Sequence, residues 1–82
     1  MYHVYILQCS DKSLYTGITN NLRRRLEQHR NGTGGNYTRS RGVEKIVYRE
    51  AARGRGAALR REAEIKRWPR GKKIDLIRRG AQ

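Results

Sequence analysis

Apolar and aromatic side chains crowd residues 2–8 (Tyr2, Val4, Tyr5, Ile6, Leu7), and their β-branched and aromatic character predicts a strand. Cys9 to Ser13 is turn-forming, and Leu14 to Thr19 reads as a second strand, so this part of the chain predicts a hairpin with a loop of about five residues. In such a hairpin Tyr5 and Tyr15 can share one face of the sheet, whereas a slip of one residue would send them to opposite faces.

The period then changes. Leu22, Leu26 and His29 recur at i, i+4 and i+7, a helical stripe with Asn20 or Asn21 as its N-cap, running through about Arg30 and stopped at Asn31 and Gly32. Arg25, three residues after Leu22 and four before His29, projects from the same side, while Arg23, Arg24 and Arg30 point elsewhere. Residues 32–42 are too rich in glycine and too polar for regular structure and read as a basic loop with one aromatic, Tyr37. Val43 to Glu50 predicts a third strand in which Ile46 and Tyr48 alternate against Val47 and Arg49. A second helix is expected over about Ala57 to Trp68, ended by Pro69. A last short helix, roughly Arg70 to Arg79, sets Ile74 and Ile77 or Leu76 against the body. With no repeat and no linker, the order ββαβαα predicts one α+β domain over residues 1–82, a three-stranded sheet with helices packed on it.

Composition narrows the function. Eighty-two residues with 35% hydrophobic content and no phenylalanine make a small core of Val, Ile, Leu and Tyr, with stability on the order of 5 kcal/mol. The single cysteine, Cys9, cannot form an internal disulfide, and no zinc-ligand spacing is present. No export signal and no membrane-length apolar run are visible, so the expected address is the cytoplasm or the nucleoid within it. Twenty Lys and Arg against seven Asp and Glu give a formal charge of +13, which repels itself and makes sense beside a polyanion. Fifteen of the twenty cations are arginine, which favours bidentate phosphate recognition and hence nucleic acid as partner.

Against that background one carboxylate stands out. Glu62 has Ala58, Leu59, Ile65 and Lys66 as its i−4, i−3, i+3 and i+4 neighbours and lies inside the stripe that should face the sheet, whereas Glu64 falls towards solvent. An inward carboxylate is costly unless it is paired or coordinates a cation. It is either a salt bridge to one of the many arginines or a ligand for a hard cation, since Mg²⁺ takes one or two carboxylates and keeps several waters. Arg25 taken alone is one more solvated cation, His29 a core histidine, and Tyr5 and Tyr15 strand aromatics. Gly17, inside a strand, marks a close approach of backbone or ligand.

Taken together, Tyr5, then Tyr15, Thr16 and Gly17 ten residues on, Arg25, His29, and Glu62 within residues 58–68 resemble the GIY-YIG endonuclease family, and within it the small single-domain bacterial branch. The likeness spans about residues 2–77, with residues 14–19 and the Glu62 helix carrying most of its specificity. It implies a three-stranded antiparallel sheet with flanking helices and a DNA endonuclease that uses a divalent metal, Mg²⁺ or Mn²⁺. By that resemblance Tyr5 is the general base or its partner and Tyr15 a second phenol in the same network. Arg25 would bind the scissile phosphate, His29 would assist proton transfer or position the nucleophile, and Glu62 would ligate the metal. His3 and Val4 stand where the first motif has glycine and isoleucine, and Thr16 where the second has isoleucine. No asparagine follows Asn36, although many family nucleases carry one late in the domain.

Hydrolysis of a phosphodiester needs an acceptor for the water proton, a cation against the growing phosphate charge and a stabiliser for the departing oxygen. A phenol is a poor base until neighbouring cations lower its pKa, and this chain has many. Arg25 suits the second role and a metal on Glu62 the third. For binding, Gly17, Tyr37, Arg39, Arg41 and Lys66 are the candidate nucleic-acid contacts, with Tyr37 suited to stacking on an unpaired base. The reading is therefore a metal-dependent DNA endonuclease, compatible with structure-specific cutting in repair or recombination. The alternative is a non-catalytic basic module that binds DNA or structured RNA.

Overall fold

The structure, a computed structural model, describes residues 1–33 and 41–80. Its elements are β1 (Tyr2–Cys9), β2 (Leu14–Thr19), α1 (Leu22–Arg30), β3 (Val43–Ala52), α2 (Arg55–Lys66) and α3 (Arg70–Gly80). The sheet is antiparallel with strand order β2-β1-β3, so the first strand is central and both others are edges. The architecture is the α+β arrangement that the segment order predicts.

The hairpin closes through Cys9 N–H to Ser13 O at 2.9 Å and Lys12 N–H to Cys9 O at 2.9 Å. Asp11 Oδ1 accepts from both Ser13 N–H (3.0 Å) and Ser13 Oγ–H (2.6 Å), the side-chain turn for which aspartate is suited. This sets the register Tyr5↔Gly17 and Leu7↔Tyr15, which places both tyrosines on one face. Asn21 is the N-cap of α1: its side chain accepts from Arg24 N–H at 3.0 Å. The helix ends at Asn31, and Gly32 follows with φ 79°, a left-handed turn that releases the chain.

Residue parity along β1 sorts the two faces. Val4 and Ile6 pack with Ala58 and Ile65 of α2, joined by Leu76 and Ile77 of α3 and by Trp68, and this is the apolar core. Tyr5, Leu7 and Cys9 are buried on the other face, where α1 brings His29 against the sheet. The protein is thus three layers, with α1 on one side of the sheet and α2 and α3 on the other.

Three local expectations are corrected. Ile46 and Tyr48 do not share a face: β3 shifts register between Ile6↔Tyr48 and Leu7↔Ile46, and the extra residue, Val47, is a bulge that reverses the alternation. The second helix begins at Arg55, two residues earlier than expected, because extended Gly54 serves as its N-cap and Ala58 N–H bonds Gly54 O at 3.0 Å. It also ends at Lys66, where Arg67 N–H reaches Glu64 O and Trp68 N–H reaches Ile65 O in a tightened last turn before Pro69. Glu64 is exposed as expected, and it joins Glu50 and Tyr48 in a polar cluster around Arg61, whose guanidinium lies 5.2 Å from the Trp68 ring.

Candidate active site

On the α1 face the central residue is Tyr5. Its cross-strand partner is Gly17, and a Cβ there would stand 2.6 Å from the Tyr5 hydroxyl oxygen and 3.2 Å from the Tyr15 ring. The close approach read from the sequence is therefore that of the protein's own phenols: glycine leaves the hollow in which Tyr5 lies.

From α1, two side chains meet that phenol. His29 Nε2 is 3.0 Å from the Tyr5 oxygen, and Arg25 Nε–H donates to the same oxygen at 3.3 Å. The Tyr5 hydroxyl accepts from Arg25 and shares one further hydrogen with His29 Nε2, the direction being set by the histidine tautomer. Tyr15 completes the cluster, its ring 6.5 Å from Tyr5 and 5.3 Å from His29, and it also touches Arg25. Gln28, which sequence reasoning missed, accepts from an Arg25 terminal N–H at 3.1 Å and holds the fork in place. Its i+3 spacing from Arg25 is the only signal that could have found it.

The electrostatics differ from the sequence expectation. Tyr5 is 1% exposed, and burial raises its pKa above the usual phenol value; the Arg25 hydrogen bond and charge oppose this, while Tyr15 and Glu62 add to it. Neighbouring cations do not make this phenol acidic, because desolvation of the phenolate outweighs the one guanidinium that reaches it. His29, also buried, is lowered to about 4 by desolvation and then by the Arg25 charge, so it is a neutral acceptor at neutral pH.

Glu62 comes from the opposite layer. Its helix packs on β1 and on the edge strand β2, the strand that carries Tyr15 and Gly17, and its carboxylate is close enough to resist ionisation of Tyr5. The buried line of α2 is Ala58 and Ile65; Leu59 is 38% exposed, so Glu62 sits at the rim of that stripe, its side chain 18% exposed. Its partner is not an arginine but Lys66, with Nζ 3.2 Å from Oε2. Among the described residues no three His, Cys, Asp or Glu side chains gather into a metal-binding group. A partly buried carboxylate whose ion-pair partner among the described residues is a long, half-exposed lysine fits a hard cation that takes one protein oxygen and fills the rest of its shell with water and phosphate.

The remaining candidates are more dispersed. Arg41 pairs with Asp11 at 2.7 Å beside the hairpin turn, and Lys66 is the partner of Glu62. Tyr37 and Arg39 lie outside the described residues.

Known proteins resemble this chain in sequence and in fold. A family model described as the GIY-YIG catalytic domain matches residues 1–75. A UPF0213 protein of Clostridium perfringens is 51% identical over 77 residues, covering 94% of this chain and 83% of that protein. Another, of Oceanobacillus iheyensis, is 46% identical over 76 residues, covering 93% and 88%. The solution NMR structure of a UPF0213 protein from Bacillus halodurans is similar with TM-score 0.64 and 40% identity, covering 99% of this chain and 87% of that one.

Proposed function

The chain belongs to the GIY-YIG family, in the group of small UPF0213 proteins, and on that premise we propose that it is a divalent-metal-dependent endonuclease that hydrolyses phosphodiester bonds in DNA. The observation that carries the reading is that a phenol, an imidazole and a guanidinium meet at one oxygen while a carboxylate from another layer acts on the same phenol.

In this reading the scissile phosphate lies at the β2 edge. Arg25, its Nε–H turned to Tyr5 and one terminal N–H to Gln28, presents its guanidinium to the non-bridging oxygens, where charge grows in the transition state. Tyr15, less buried than Tyr5, is the phenol that meets the attacking water. The water proton enters the cluster there and is taken up at its strongest neutral base, His29 Nε2. In the free protein the Arg25 charge opposes a proton on His29; a bound phosphate offsets that charge, so the acceptor strengthens when substrate arrives. A Mg²⁺ or Mn²⁺ ion held by Glu62 would act as Lewis acid towards the departing 3′-oxygen.

The test is cleavage of plasmid, flap and four-way-junction DNA with Mg²⁺ or Mn²⁺ by the wild type and by Glu62→Ala. The variant should bind DNA as before and cut at least about a hundredfold more slowly. Equal rates would remove Glu62 from the mechanism, and a wild type that nicks none of these substrates would leave only a nucleic-acid-binding module.

A further inference from the structure

The charge that the site does not use is unevenly explained. Arg23 and Arg24, exposed on α1, lie on the same side of the sheet as Tyr5 and extend that surface for a phosphate backbone. Arg60 and Arg67 are different. Arg60 on α2 and Arg67, the residue that caps its C-terminus, fall about half a turn from the buried Ala58–Ile65 line, so they point away from the sheet. On α3, Lys72 and Arg79 are likewise exposed, away from Ile74 and Ile77. The acids near them are Glu64, already bonded to Arg61, and Asp75. Lys72 is held in place, its Nζ 4.4 Å from the Trp68 ring.

No single straight duplex can use both surfaces. The body measures 28 × 27 × 24 Å, with the sheet between α1 and the α2–α3 layer. Charges on opposite sides are therefore separated by well over the Debye length of about 8 Å at physiological salt, and phosphates on one side do nothing for cations on the other. Like charges gathered in excess of the counter-charge beside them weaken the fold unless a polyanion neutralises them.

We propose that the outward face of α2 and α3, with Arg60, Arg67, Lys72 and Arg79, is a second DNA-backbone surface, which holds a second duplex segment while the first lies across the Tyr5 site. This rests on DNA being the partner in the reading above, and not on cleavage. It assigns the substrate class: DNA that presents two helical arms to one small protein, as a junction, a flap or two crossing duplexes does.

The experiment is binding in EDTA at 0.15 M salt, so that catalysis plays no part, with an immobile four-way junction and a 12-base-pair linear duplex as probes. Variant R60E/R67E/R79E changes three side chains that are exposed on this face. Its affinity for the junction should fall roughly 50- to 100-fold and the slope of log affinity against log salt should flatten by about 3, while linear-duplex affinity changes less than about threefold. Wild type should bind two short duplexes, the variant one. R60Q/R67Q/R79Q should show the same preference at smaller size, and melting temperatures close to wild type confirm that the variants are folded. Equal loss on both probes would mean one continuous surface, and no loss on either would mean solvated charge; either result overturns the proposal. Wild type that ignores both DNAs while binding structured RNA removes the DNA reading itself, which the junction-to-duplex comparison keeps separate.

Discussion

The central strand β1 has two different faces. On one, Val4 and Ile6 meet Ala58 and Ile65 in a core with no polar atom among its buried members. On the other, Tyr5 meets His29, Arg25 and Tyr15 in a cluster where nearly every side chain carries a polar group. Alternate residues of one strand thus divide the work: one side stabilises, the other places ionisable groups where water is excluded. A domain this small has little stability to spare, and the polar side must be held by the apolar one.

That contrast can be broken most sharply on the polar side. Tyr5→Phe removes the oxygen shared by His29 and Arg25 and should lower cleavage by about 10²- to 10⁴-fold, at a stability cost near 1 kcal/mol. Cleavage rates paired with urea denaturation check this; a parallel fall in both would make Tyr5 structural. On the apolar side, Ile65→Ala should cost about 2–5 kcal/mol, read as a shift of the urea midpoint. It should leave the rate per folded molecule nearly unchanged at low temperature, and a loss of rate in fully folded protein would contradict the division of faces.

Smaller effects sharpen the comparison. Gly17→Ala puts a Cβ at 2.6 Å from the Tyr5 oxygen, and the ring must move; about 1–3 kcal/mol of stability and most of the activity should go together, measured by thermal melting and nicking. The polar face also carries a pH dependence of its own. His29 is lowered to about 4 when folded against 6.5 when free, so the unfolded chain takes up a proton first as pH falls. Stability from this source is complete above pH 6.5, declines by on the order of 2 kcal/mol down to about pH 4, and is then level. His29→Gln should flatten that part of the profile, and an unchanged profile would mean that His29 is not the titrating group. Least of all, Lys66→Gln removes a surface ion pair worth about 0.3–0.5 kcal/mol and frees Glu62 Oε2. The Mn²⁺ concentration for half-maximal cleavage should fall, and a rise would show that Lys66 orients the carboxylate.

The elements were largely legible before the structure. Leu14 to Thr19 is the second strand as read, and Asn21 caps α1 because its position before Leu22 lets its side chain accept from Arg24 N–H. Periodicity also put Arg25 and His29 on one side of that helix, and the structure joins both to Tyr5. It could not show the Val47 bulge, since the strand pattern of Ile46 and Tyr48 looks regular and only pairing with β1 reveals the extra residue. The i+4 spacing of Lys66 from Glu62 was legible, but with fifteen arginines in the chain spacing alone could not rank that local partner above a distant one.

What the amino-acid sequence determined by itself was most of what depends on spacing: the order of strands and helices, the charge, and which residue types stand at motif distances. What only the tertiary structure decided was the state of those residues once assembled. The many cations of the chain suggest an acidic phenol, yet Tyr5 is pushed the other way. Burial is set by what packs from distant segments, and removing water from a phenolate costs more than one nearby arginine returns.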